Sequence, residues 1–143
     1  MKLKLDENLS QLDVAIGRTV CCDWIRDEIP TEITSAAPFD RILVDVPCSN
    51  TGVMRRRVDV RWRLRPDDFK RMAGLQMSIL RGVAPLLKPG GVLVYSTCSL
   101  EPEENEEIVA QGVADLSLVQ QESVLPFRDH CDGAFVAKFV RSR

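Results

Sequence analysis

Two short stretches of this sequence hold the residues whose types and spacing could do chemistry. "DVPCSNTG" (45–52) puts an acid, a proline and a cysteine within four positions, and "YSTCS" (95–99) sets a second cysteine among small polar residues. A cysteine can fill a core, bind a metal or act as a nucleophile, and its surroundings select among these. Cys48 and Cys98 each close an apolar run and are each followed by serine, a poor setting for core filling. Metal ligation would require five dispersed cysteines and one histidine to converge without the paired spacings of a zinc site. A reactive pair is the reading that remains. Cys21 and Cys22, inside an apolar run, read instead as small core residues, and Cys131 beside His130 as a surface thiol.

A reactive pair needs elements that bring the two sulfurs together. "RTVCCDW" (18–24), "RILVDVP" (41–47), "GGVLVYSTC" (90–98), "SLVQQESV" (117–124) and "GAFVAKFV" (133–140) read as strands, several of them continuous enough in apolar residues for burial on both faces of a parallel sheet. Helical patterns occupy roughly 2–15, 66–87 and 102–115. Strand and helix alternate, which specifies an α/β class, and the absence of a helix between the last two strands specifies a C-terminal antiparallel hairpin. In "LLKPGGVLVYST", Pro89 stops the helix and Gly90 takes a positive φ in the turn that feeds the strand. Pro102 then opens a helix with Glu103 and Glu104 in its first turn. If residues 49–89 make one crossover, the strands ending at Asp45 and Cys98 are parallel neighbours about 4.8 Å apart, and Asp45, Cys48 and Cys98 emerge at one carboxyl edge, where open α/β sheets bind ligands.

Composition sets the outer bounds. A chain of 143 residues, 45% hydrophobic and 28% charged, supports one core, so residues 1–143 are expected to form a single domain or part of one. It has neither a run of about 18 apolar residues nor an apolar signal-peptide centre, and the expectation is a cytoplasmic protein with reduced thiols. The net charge of −2 hides a segregation: residues 1–53 sum to −4, residues 54–88 to +7 and residues 89–143 to −5. A positive middle suits one polyanion-binding face, and it equally suits a solvated segment whose arginines pair with the acidic ends. "MRRRVDVRWRLR" (54–65) carries six arginines, of which Arg55, Arg56 and Arg57 could hold phosphates, while Trp62 is expected to pack against the domain.

"FDRILVDVPCSNTGVMRRRVDVRW", "LQMSILRGVAPLLKPGGVLVYSTCSLEPEENEEIV" and "DGAFVAKFV" together resemble the carboxyl-terminal part of the catalytic domain of RNA cytosine-5 methyltransferases of the Sun (RsmB-like) family. The resemblance implies a Rossmann-like fold dependent on S-adenosylmethionine, acting on rRNA or tRNA. It implies that Cys98 is the nucleophile adding to carbon 6 of cytosine, that Cys48 assists release of the product, and that Asp45 hydrogen-bonds the pyrimidine edge. Cytosine carbon 5 is too weak a nucleophile to take a methyl group unaided, which is why covalent catalysis is needed. Asp23, Asp45 and Pro47 are implied on the cofactor side; Arg55, Arg56 and Arg57 directly follow the Cys48 loop, so RNA held by them is expected next to the thiols.

The same resemblance implies a partial domain. The family's strand order is 3-2-1-4-5-7-6, and neither its glycine-rich first strand nor its acid-ended second strand is found in this sequence. A sheet without them is expected to bind the cofactor weakly and to present an apolar edge open to self-association. Two rival functions are a non-catalytic RNA-binding or scaffold remnant of the fold, and a methyltransferase for exocyclic amines. The latter calls for an aromatic residue where Cys48 stands.

Overall fold

A run of isoleucine, leucine and valine becomes a strand only where a neighbour completes its ladder of hydrogen bonds. In the computed structural model of the chain, which describes residues 19–24 and 28–143, that neighbour exists for four of the five expected runs. They are β1 (Phe39–Asp45), β2 (Leu87–Thr97), β3 (Leu116–Val124) and β4 (Ala134–Arg141), joined in one sheet of order β1-β2-β4-β3. β1 and β2 pair in parallel, while β4 runs antiparallel to both of its neighbours. Three strands therefore share a direction and β4 opposes them, which is the 4-5-7-6 portion of the expected order with its C-terminal hairpin.

The chain divides into two compact units, 1–36 and 37–143. In the first, the described residues form one helical turn, α1 (Thr31–Thr34). Thr19–Trp24 form no strand, contrary to the expectation for "RTVCCDW": every laddered strand among the described residues lies in the second unit. Cys21 is exposed and Cys22 half-buried rather than core residues. The helical pattern at 2–15 lies outside the described residues.

In the second unit the helices are α2 (Val60–Arg63), α3 (Pro66–Val83), α4 (Glu106–Gln111) and α5 (Pro126–Asp129). α3 starts as its sequence dictates, with Pro66 at the first position, Asp67 and Asp68 in the first turn, and the Asp68 carboxylate accepting the Arg65 N–H at 3.0 Å. Gln76, Met77, Ile79, Leu80 and Val83 recur every three or four residues and make its buried face. That face packs on Val44, Leu93, Tyr95, Phe135, Ala137 and Phe139 of the sheet, with Ile108 of α4 in the same cluster. Lys88–Gly91, expected as a turn ahead of the strand, is a bulge inside it: β2 advances from Leu87 to Val92 while β1 advances from Phe39 to Arg41, and Gly90 takes φ +76°.

Burial on both faces of the sheet, expected from the apolar runs, is not found. α3 and α4 cover one face, and on the other Leu43 is 71% exposed and Val136 37%. Trp62, expected to be buried, is 82% exposed. On the α2 turn Val60 is the residue pointed inward, fully buried, and two positions along a helix is more than half a revolution away.

Candidate active site

The register of the two parallel strands explains why the cysteines meet. Asp45 of β1 lies opposite Ser96 of β2, and the ladder continues one residue further through Val46 N–H to the Ser96 carbonyl at 3.1 Å. Pro47, with no N–H, ends it, and its carbonyl accepts from Gln76 Nε2 of α3 at 3.0 Å. Cys48 follows three positions after Asp45, and Cys98 two after Ser96, so both leave the sheet at one edge. Asn50 then adopts the left-handed conformation (φ 65°, ψ 25°) and turns the chain back over the end of β2. Gly52 closes the contact, donating its N–H to the Cys98 carbonyl at 2.9 Å and accepting from Gly133 N–H at 2.8 Å. A Cβ at position 52 would sit 2.5 Å from the Gly133 oxygen and 2.8 Å from the Cys98 oxygen, so only glycine allows this approach.

The result is a pair of free thiols with Cys48 Sγ and Cys98 Sγ 3.2 Å apart. Cys98 is partly open to solvent and Cys48 is buried. The Cys98 thiol donates to Asn50 Oδ1 at 3.1 Å, and Asn50 Nδ2 is fixed on the Cys48 carbonyl at 2.9 Å. With the Cys98 proton directed to Asn50, the hydrogen bond between the sulfurs is donated by Cys48. Burial, followed by this hydrogen bond, pushes the Cys48 thiol up to about 12. Cys48 therefore stays a neutral thiol aimed at the sulfur of Cys98.

Asp45 stands exposed at the same edge, with Oδ1 accepting the Ser96 hydroxyl at 2.8 Å. Asp23 lies in the first unit. Arg55 and Arg56 both pair with Asp132, at 3.4 and 2.8 Å, and Arg57 pairs with Asp59 at 3.4 Å, yet all three side chains are at least half exposed. Surface pairs of this kind are worth about 0–1 kcal/mol, so they leave the guanidinium groups free to exchange onto phosphates. Beside the Cys48 loop a cleft of about 450 Å³ is lined by Thr51, Gly52, Arg55, Leu100 and the exposed Phe127.

The residues present fit one edge of a cofactor site: Asp45 offers a carboxylate at a strand end, whereas the Pro47 carbonyl is already occupied by Gln76. Sequence reasoning missed the group beneath the pair, Glu104. Its carboxyl group is fully buried and accepts from Ser49 N–H (2.9 Å), Gln76 Nε2 (2.8 Å) and the Ser99 hydroxyl (3.0 Å). Pro102–Glu104 forms a 3-10 turn, tighter than the α-helical start expected there, and Glu104 points inward while Glu103 and Glu106 do not. The Tyr95 hydroxyl donates to the Glu104 carbonyl at 2.6 Å, and burial followed by the nearby Glu104 charge raises the Tyr95 phenol, which stays a donor.

Residues 2–122 match the family described as 16S rRNA methyltransferase RsmB/F. Ribosomal RNA small subunit methyltransferase B of Yersinia enterocolitica is 38% identical over 152 aligned residues, 96% of this chain and 34% of the relative. A probable enzyme of the same name from Bacillus subtilis is 49% identical over 98 residues, 62% of this chain and 22% of the relative. Among solved structures, NSun6 from Pyrococcus horikoshii, crystallised with SFG, superposes with a TM-score of 0.83 at 25% identity, over 99% of this chain and 39% of that one. The chain thus spans about a third or less of the length of these curated relatives. Its fold is that of the S-adenosylmethionine-dependent methyltransferases.

Proposed function

This chain belongs to the RsmB/F family of 16S rRNA methyltransferases, and on that premise we propose that it is the cysteine-bearing portion of an enzyme that methylates carbon 5 of a cytosine in small-subunit ribosomal RNA. The observation that carries this reading is the pair of free thiols 3.2 Å apart at the carboxyl edge of β1 and β2, one accessible and one buried.

Cys98, the accessible member, is the nucleophile. Its sulfur bonds to carbon 6 of the cytosine and the ring gains electron density at carbon 5. S-adenosylmethionine, when bound, supplies the electrophilic methyl group. Asp45, held by Ser96, takes the pyrimidine edge through a charge-assisted hydrogen bond and stabilises the protonated ring nitrogen. The family resemblance assigns Asp23, Asp45 and Pro47 to the cofactor side; within the second unit Asp45 would offer its carboxylate to the methyl donor, while the Pro47 carbonyl stays on Gln76. Release passes the carbon 5 proton to a base such as solvent water; the freed electron pair restores the 5,6 double bond, breaks the sulfur–carbon bond and returns charge to the Cys98 sulfur. A neutral Cys48 thiol pointed at that sulfur stabilises the charge through a hydrogen bond, a modest contribution because S–H is a weak donor. Arg55, Arg56 and Arg57 exchange their surface partners for phosphates and keep the RNA beside the thiols.

The test is covalent trapping. RNA carrying 5-azacytosine is electron-poor at carbon 6, so addition of the thiolate needs no methyl group. A protein–RNA adduct that survives denaturing electrophoresis is the expected result. RNA binding with no adduct would favour the non-catalytic scaffold reading instead.

A further inference from the structure

We propose that Glu104 is the positioning residue that sets the separation of the two cysteines. A thiol is a weak donor and a weak acceptor, so hydrogen bonds to the sulfurs themselves cannot fix where they stand. Each cysteine is followed by a serine, and the two serines are the handles that Glu104 grips. Oε2 accepts the Ser49 N–H at 2.9 Å, Oε1 accepts the Ser99 hydroxyl at 3.0 Å, and the two serine hydroxyls meet each other at 3.0 Å. A closed path therefore runs from Cys48 through Ser49, Glu104 and Ser99 to Cys98, and returns across the 3.2 Å gap between the sulfurs.

Glu104 is itself immobilised. Gln76 of α3 donates to Oε2 at 2.8 Å, and the Tyr95 hydroxyl of β2 donates to its carbonyl at 2.6 Å. The residue has no exposure to solvent. A carboxyl group is a costly filler for such a position, which a leucine would occupy without desolvation cost. What a fully satisfied buried network provides instead is a single rigid arrangement. Here that arrangement joins the β1 loop, the β2 end and α3 around the reacting pair. The inference rests on Cys98 and Cys48 being the reagents. The separation itself is measurable without RNA or methyl donor, so the two ideas fail separately.

The experiment uses dibromobimane, which joins two thiols only when both lie within its short span. The full chain is treated with the reagent at a fixed pH well above 9, where the raised Cys48 thiol can take the second arm, and the peptide pair linked through Cys48 and Cys98 is quantified by mass spectrometry. In Glu104→Gln only one oxygen remains to serve three partners and the charge is gone, so the grip is weakened even where the Ser99 hydroxyl turns to accept from the amide. We expect the Cys48–Cys98 bridge to form about tenfold more slowly, since intramolecular rates follow orientation. Single alkylation of Cys98 and of the exposed Cys131 by iodoacetamide should stay within about twofold of the unsubstituted chain, because reactivity of separate thiols follows thiolate character and access. A purely structural role would lower the thermal midpoint and leave the ratio of bridging to single alkylation unchanged. Should Glu104→Gln fail to fold, Ser99→Ala removes one handle only and is expected to slow bridging severalfold. A folded variant of either kind that bridges at the original rate overturns the proposal.

Discussion

Replacing Gly52 with alanine separates the two loops at the point where they touch. The added Cβ would lie 2.5 Å from the Gly133 carbonyl oxygen and 2.8 Å from that of Cys98, and both are backbone atoms that cannot swing aside. To reach ordinary contact, near 3.4 Å, the Gly133 side must open by roughly 0.9 Å and the Cys98 side by roughly 0.6 Å. Those movements stretch the two hydrogen bonds that cross the gap, now 2.9 and 2.8 Å, beyond useful length. Each lost bond is worth about 1 kcal/mol and overpacking about 1–3 kcal/mol, while the stiffer unfolded chain returns under 1 kcal/mol. The expected net is destabilisation by about 2–4 kcal/mol, read as a lower midpoint in urea at unchanged slope. Gly74→Ala is the matched control. It sits within α3 with nothing within 4 Å of its added Cβ, and helix propensity alone should stabilise it by about 0.5–1 kcal/mol. A Gly52→Ala chain as stable as the Gly74→Ala chain would refute the reasoning.

Three further outcomes follow from the same geometry. The Cys48 thiol, pushed up to about 12 from an ordinary 9.0, should resist iodoacetamide until well above pH 9, and labelling with a midpoint near 9 in the folded protein contradicts this. By linkage the raised value stabilises the fold below pH 9, and that contribution is lost as pH climbs from 9 toward 12. Arg55→Gln with Arg56→Gln removes two phosphate contacts, so the slope of log affinity for single-stranded RNA against log salt should shrink by about 1.4, and an unchanged slope argues against their contact with RNA.

Much of the sheet was legible because strand ends and turns carry local signals. Pro47 ends the β1 ladder and the last two strands pair as a hairpin, whereas Pro89 lies inside β2 after a helix that already ended at Val83, and Gly90 takes its positive φ in a bulge rather than a turn. The convergence of Cys48 and Cys98 followed from one crossover and a parallel pairing, both of which are found. What the sequence concealed depends on neighbours. "RTVCCDW" is apolar enough for a strand, yet propensity without a ladder leaves Thr19–Trp24 irregular. Trp62 reads as a core residue by type, but Val60 two positions earlier takes the inward place. Glu104 sits in "EPEENEE" among acids suited to a solvated helix start, and only the tighter 3-10 turn after Pro102 aims it at the serines. The one available signal was the serine after each cysteine, two identical small donors at the two places where a rigid grip would act.

Site-resolved trapping measures the division of labour between the two sulfurs. Chains carrying Cys98→Ser or Cys48→Ser are mixed with 5-azacytosine RNA, and any cross-linked peptide is located by mass spectrometry. The account predicts an adduct on Cys98 that persists in the Cys48→Ser chain and vanishes in the Cys98→Ser chain. An adduct borne by Cys48, or one that survives loss of Cys98, would contradict it.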